Sequence, residues 1–410
     1  MKLIIVVTVA VIFRLASAQS VYSLASTIPW TPKAPSSVDQ SLVYNDTYYL
    51  ADRSNAGVHV ISLADTTNSK LITGFTTGIV NGSISSSISG PDGLVVLPSR
   101  NELWVGDGDG TVKIIDLFGS SIAATINTTS SKRADELAYD PTNDIVVATN
   151  PNENPPYVSV MSAANRTLLG RINFSDASGL EQPAFNPADG LFYISVPISK
   201  ANPGGAISTL NIANMSIAKT YPLPDCVPAG IVFGPTNALF IACSASQITE
   251  FGYAASYILD VSMGKLVANI SGLAGSDQVA YSPSSGLFFA AAYQNMINGT
   301  VPQPQVAVVN ASSGKLVQTF ATDNVTAHAV AVDDKSGLMI VPIMKQGIVT
   351  YSFMAGAGGN GTSASGTTSG SATATSSGTT STKTSATLKN FTAQVLGVFL
   401  IASITAIFAL

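Results

Sequence analysis

Charge is scarce in this sequence. Only 10% of its 410 residues are Asp, Glu, Lys or Arg, against about a quarter in an ordinary soluble domain. The basic residues form no cluster and the formal net charge is −5, which argues against nucleic acid or anionic lipid as a partner. Histidine and cysteine are scarcer still, at two each. There is no C-x-x-C, no H-E-x-x-H and no G-x-S-x-G, so the motif-borne dithiol, zinc-protease and serine-hydrolase chemistries have no footing. Long helical periodicity is also missing between the two ends of the chain, which leaves an all-β reading.

What the chain has in abundance is Ser, Thr, Asn and Gly, together with two apolar termini. Lys2 precedes the apolar run Leu3–Phe13, and Ala16-Ser17-Ala18 supplies small residues for cleavage. This is the layout of a secretory signal peptide, residues 1–18, cut before Gln19. At the other end, the apolar stretch from Val395 sits behind a polar spacer and the small-residue segment Ser385–Asn390. That order matches a GPI-attachment signal over residues 386–410, with Ser385 as the attachment site and Gly378 or Ser381 as alternatives. Residues 355–385 are Gly, Ser, Thr and Ala almost throughout. They cannot bury a core and are expected to form a disordered, O-glycosylated stalk reaching roughly 100 Å when extended.

Other features agree with an exterior location. N-x-S/T sequons stand at Asn45, Asn81, Asn127, Asn165, Asn173, Asn214, Asn269, Asn298, Asn310, Asn324 and Asn360, and at Asn390 within the tail. Such density suits a glycosylated surface. Loss of Lys2, Arg14 and Lys389 with the two signals would take the net charge from −5 to −8. In an oxidising compartment Cys226 and Cys243 are expected to form one disulfide.

Between the ends lies a repeat. The stretch ADELAYDP, Ala134 to Pro141, recurs as VDQSLVYND, GPDGLVVLP, GLEQPAFNP, CVPAGIVFGP, SDQVAYSP and TAHAVAVDD. Its equivalent positions are Asp39, Asp92, Asp135, Glu181, Pro228, Asp277 and His328, at intervals of 53, 43, 46, 47, 49 and 51 residues. Periods of this size mark propellers and solenoids. Each copy continues into a second apolar strand such as GLFYISVP, an alternating third such as TVKIIDL, and a fourth such as GKLVANI. Four short antiparallel strands make a propeller blade. Residues 19–354 are thus expected to fold as a seven-bladed β-propeller. The last repeat has only three strands of its own, and Val21–Trp30 is expected to supply the fourth and close the ring.

The cadence of YILDVSMGKLVANI and VAVVNASSGKLVQTF, with DELAYDP and TAHAVAVDDKSGLMIVPI, resembles the YVTN-repeat seven-bladed propellers over roughly Val38 to Phe353. The resemblance implies an extracytoplasmic or surface protein without implying a reaction. The chain departs from the pattern in two longer insertions, SVPISKANPGGA and YQNMINGTVPQPQ.

Propeller geometry gathers the starts of the innermost strands at one mouth of the central channel. Asp39, Asp92, Asp135, Glu136, Glu181, Asp277 and His328 are therefore the candidate ligand-binding residues. Asp135, Glu136, Glu181 and Asp277 are candidate metal ligands, with Ca²⁺ the cation carboxylate oxygens suit. A more local role is open to each Asp, whose carboxylate can accept backbone N–H bonds in the turn between blades. His59 alternates with Val58 and Val60 and should face solvent or a neighbouring strand. His328 is the better candidate for a general base. GDGDG, Gly106–Gly110, resembles a calcium loop, but the twelfth position from Asp107 is Phe118 rather than Glu, so it reads as a hairpin turn. Two functions remain. One is a monomeric, non-catalytic surface protein, membrane-associated only through its GPI anchor, that binds an extracellular protein, glycan or small molecule. The other is a metal-dependent, lactonase-like hydrolase.

Overall fold

The computed structural model describes residues 21–354, apart from 298. The signal segment, the stalk, the tail, Ser385 and the sequons at Asn298, Asn360 and Asn390 lie outside these residues. The described chain forms seven four-stranded antiparallel sheets, the blades of a propeller. Their innermost strands are Val38–Tyr44, Leu94–Leu97, Leu137–Asp140, Pro183–Asn186, Pro228–Phe233, Val279–Ser282 and Ala331–Asp333. These strands touch in sequence around the ring, and the last packs against the first.

The period-2 alternation of the strands explains the core. In Ala238–Cys243, the second strand of blade 5, Leu239, Ile241 and Cys243 face blade 4. Phe240 and Ala242 face blade 6, where Phe240 stacks on Phe288 with ring centroids 5.0 Å apart. Successive side chains of a strand point to opposite faces, so a blade between two neighbours must be apolar on both. The buried residues accordingly form seven apolar clusters, one in each interface between blades. Each fully buried Leu, Ile or Phe contributes about 1.5–3 kcal/mol relative to exposure. Outermost strands face water on one side and alternate accordingly, as in Ser121–Asn127.

Closure follows the sequence expectation. Tyr22–Ile28 pairs antiparallel with Gly347–Phe353 as the fourth strand of blade 7. Gln318 of blade 6 fixes its start: the side-chain oxygen accepts from the N–H groups of Val21 and Tyr22, each at 2.9 Å, and its amide donates to the Tyr22 carbonyl at 3.0 Å. Cys226 and Cys243 are disulfide-bonded with Cα atoms 5.0 Å apart, because Pro228, two residues past Cys226, pairs directly with Cys243.

Each innermost strand starts at the mouth of the channel. Antiparallel order then brings the second strand back to that face, and the third begins there. The longer insertions fall at these places. A ribbon of Ile79–Val80 and Ser83–Ile84 precedes blade 2, the helix Ala245–Phe251 follows the second strand of blade 5, and a ribbon of Met296–Ile297 and Val301–Pro302 follows that of blade 6. The third strand of blade 7 runs the other way. Met354 therefore lies on the face opposite the mouth, where its N–H bonds the Val21 carbonyl at 2.9 Å.

Candidate functional site

Backbone bonding places the acidic positions. The Asp135 N–H donates to the Thr149 carbonyl at 2.8 Å, and the Thr149 N–H returns a bond to the Glu136 carbonyl at 3.0 Å. The same reciprocal pair recurs between Glu181 or Gln182 and Ser195, and between Asp277 or Gln278 and Ala291. Each acidic residue is thus pinned by its main chain to the second strand of its own blade. Adjacent blades approach closely here. A Cβ on Gly93 would lie 2.4 Å from the Glu136 Cα, and one on Gly230 2.1 Å from the Asp277 carbonyl oxygen, so only glycine fits these positions.

With the backbone groups already satisfied, the carboxylates are not needed as turn caps. This corrects the local role considered for Asp135. Its carboxylate is instead ion-paired with the Arg133 guanidinium, Nη2 to Oδ2 at 2.7 Å, and both groups are nearly buried. Arg53 does the equivalent for two blades: its Nε donates to Asp92 at 2.5 Å, its Nη2 to Asp39, and its Nη1 to the Val38 carbonyl at 3.0 Å.

Asp39, Asp135, Glu136, Glu181, Asp277 and His328 all line one cavity of about 300 Å³ at the mouth. Asp92 stands behind it, fully buried on Arg53. His59 lies elsewhere, in blade 1. It does not face solvent: it is 1% exposed, with Nε2 2.8 Å from the Asp52 carboxylate of the neighbouring strand. GDGDG is the turn between the second and third strands of blade 2, with Asp107 paired to Lys113.

The lining also includes residues that the repeat did not point to, Arg53, Tyr293 and Ser244 among them. Each of these three immediately follows the second strand of its blade, so the repeat held a second position facing the mouth. That position recurs one residue past the end of each second strand, but its residue type does not recur with it. Arg133 and Ser276 also line the cavity, each just ahead of an acidic position.

The electrostatics are uneven. Burial, reinforced by the charges of Asp135, Glu181 and Asp277, pushes the Glu136 carboxyl well above its ordinary value. Burial and the Asp277 and Asp135 charges do the same to Glu181. Asp135 is raised to about 6 by burial, which outweighs the pull of Arg133. Burial also acts upward on Asp277, but the His328 hydrogen bond and charge hold it below its ordinary value. The Asp277 Oδ2 stands 2.8 Å from the His328 Nδ1, and the Tyr293 ring lies over the imidazole at 4.8 Å.

Among the described residues, two groups bring potential metal-ligand atoms within 4.8 Å of one another: Asp39, Asp277 and His328, and Asp39, Asp92 and Asp135. Neither contains Glu136 or Glu181, so the four carboxylates considered for Ca²⁺ do not converge as that set. In the second group the Arg53 guanidinium already bridges Asp39 and Asp92 and supplies the cationic charge itself. The first group includes an imidazole, whereas Ca²⁺ takes oxygen ligands. The residues present do not fit a Ca²⁺ cage.

The fold is similar to solved WD40-type propellers. A chain in the crystal structure of a mitotic checkpoint complex matches with a TM-score of 0.59 at 13% identity, over 85% of this chain and 99% of that one. The WD40 β-propeller domain of Doa1 matches with a TM-score of 0.59 at 12% identity, over 82% and 98%. At such identity the likeness speaks for the fold alone. No protein-family model matches the sequence, and no curated protein does.

Proposed function

We propose that this chain is a secreted, GPI-anchored propeller of YVTN type that binds an extracellular ligand or partner at its channel mouth without catalysis. One observation carries the binding reading. Carboxylates, guanidinium groups, an imidazole and a phenol from separate blades converge on a single cavity, on the face where the insertions gather and opposite the point where the described chain ends at Met354. Convergent polar groups in a preformed concavity are the usual form of a small-ligand site. The signal-like termini, the sequons and the disulfide support the exterior location. A protein tethered beyond Met354 would turn its mouth away from the anchoring surface.

Two measurements test this reading. Phosphatidylinositol-specific phospholipase C should release the protein from intact cells into the medium; a mature protein that still carries Phe399–Leu410 would overturn the anchor. Fluorescently labelled protein should adhere to the cell or wall surface, and Glu181→Lys should abolish adhesion. Undiminished adhesion would remove the mouth from the proposal.

A hydrolytic reading draws on the Asp277–His328 pair, since a carboxylate that orients an imidazole leaves the other ring nitrogen free to act as a general base. Lactone hydrolysis by the purified protein that disappears in His328→Asn would favour it over simple binding.

A further inference from the structure

The mouth carries five carboxyl groups, on Asp39, Asp135, Glu136, Glu181 and Asp277, and only two guanidinium groups, on Arg53 and Arg133. Each of the three Arg53 side-chain nitrogens already donates a bond, to Asp92, a backbone carbonyl and Asp39. Arg133 is held by Asp135. Glu181 therefore faces the cavity without a charged partner and Asp277 has only the His328 imidazole at 2.8 Å, so the excess of acid lies on their side. Several buried atoms on the cavity lining also lack a hydrogen-bond partner, the Arg133 Nε and the Ser244 Oγ among them, and two belong to or adjoin the acidic residues of the mouth. The Glu136 Oε2 is buried without a hydrogen bond, its other oxygen being held by the Gln278 amide. The Ser276 Oγ is also buried and unpartnered, and Ser276 is 2% exposed on the cavity lining. Buried polar atoms without partners are uncommon and call for an explanation.

We propose that the mouth receives the ammonium group of a small primary amine, seated among Glu136, Glu181 and Asp277 with the Ser276 hydroxyl and the Tyr293 ring beside it. The inference rests on the mouth being a binding site and adds the chemical class of its ligand. An ammonium presents three donors, and this wall offers chiefly acceptors. Its hydrogen bonds to carboxylate oxygens run about 2.7–2.9 Å, so it tolerates acceptors spread around a wider centre than a metal ion does. A cavity of about 300 Å³ has room for the carbon skeleton as well. The raised Glu136 and Glu181 carboxyls fit the same picture, because burial, reinforced by neighbouring negative charge, favours their protonated forms while the mouth is empty. An arriving ammonium replaces that proton as the neutralising charge. The carboxyl O–H bond breaks, its proton passes to solvent, the carboxylate forms, and no other covalent bond changes.

Titration calorimetry on the full-length protein tests this with matched probes. n-Butylamine and glucosamine carry the ammonium on an apolar and on a polar skeleton; 1-butanol and glucose are their hydroxyl counterparts. Each amine should bind at least about tenfold more tightly than its counterpart, the difference of one charged hydrogen bond. Binding should tighten as pH rises from 5 to 7, where both amines keep their own proton, and the heats in phosphate and MOPS should differ by the enthalpy of released protons. Glu181→Gln, a half-buried substitution, should weaken amine binding about tenfold or more and reduce proton release while leaving circular dichroism unchanged. If the hydroxyl probes bind equally well, or if calcium chloride binds and the amines do not, the ammonium assignment is overturned while the mouth remains a binding site. If no probe binds, the assignment is overturned too, and the Glu181→Lys adhesion measurement separately decides the fate of the mouth reading.

Discussion

Asp135 and Glu136 are adjacent in sequence and face different physical problems. Asp135 neutralises a nearly buried guanidinium, with side chains of Arg133 and Asp135 14% and 3% exposed. Asp135→Ala strands that cation, and breaking a buried pair costs about 3–5 kcal/mol, more than the roughly 1 kcal/mol of a lost backbone cap. Urea unfolding of the variant distinguishes the two magnitudes. Glu136 holds its proton more tightly folded than unfolded. Its contribution to stability is complete below the unfolded carboxyl range, about pH 4, and is lost as pH rises through the higher folded value. Glu181 and Asp135 act in the same sense, and Asp277 in the opposite sense at lower pH. The protein should therefore unfold at a higher temperature near pH 5 than at pH 8. Glu136→Gln should flatten this slope in thermal melts and be the more stable protein at pH 8. The acidic half of the mouth was legible because it sits at the repeat's own period. Arg53 and Tyr293 were not, because their positions in the other blades hold Asp107, Pro151, Pro197, Ser244 and Met344, and a side chain that varies from blade to blade leaves no periodic signal.

Strands were easier to read than sites, since alternation and Gly-marked turns act locally while contacts across the channel join residues far apart in the chain. The closing strand was legible from a deficit: the seventh repeat has three strands, and an open sheet edge is a liability. Removing residues 21–30 exposes the edge of Gly347–Phe353 along its whole paired length. The truncated protein should self-associate, seen as higher-mass species in light scattering, whereas Gln318→Ala should only loosen the start of the strand. The disulfide belongs to the same scale. Its 17-residue separation predicts a loss of about 3 kcal/mol on replacing both cysteines by alanine, measured by denaturant unfolding under non-reducing conditions.

Across the whole molecule, the two faces differ in kind. The mouth face carries the ribbons and the short helix, while the opposite face is built from tight turns, with Lys335 bonding Asp46 at 2.7 Å across the blade 7–blade 1 junction. The face on which each insertion lies follows from strand order alone and could be read before any side chain was placed. Chemical complementarity within the mouth could not, because it depends on which blades meet across the channel.

The closure of blade 7 has a mechanical consequence. Tension on the polypeptide beyond Met354 acts along Gly347–Phe353, a strand hydrogen-bonded on both sides, to Leu338–Ile343 and to Tyr22–Ile28. Such a load shears many hydrogen bonds at once instead of unzipping them one after another from a free edge. Resistance to forced unfolding is set by the unfolding barrier, and a strand clamped by two neighbours raises it. A chain closed the opposite way, with its C-terminal strand outermost, would take the same pull on its most weakly held element. By entering at the edge and leaving from the strand inside it, this propeller keeps its outermost strand out of the line of force.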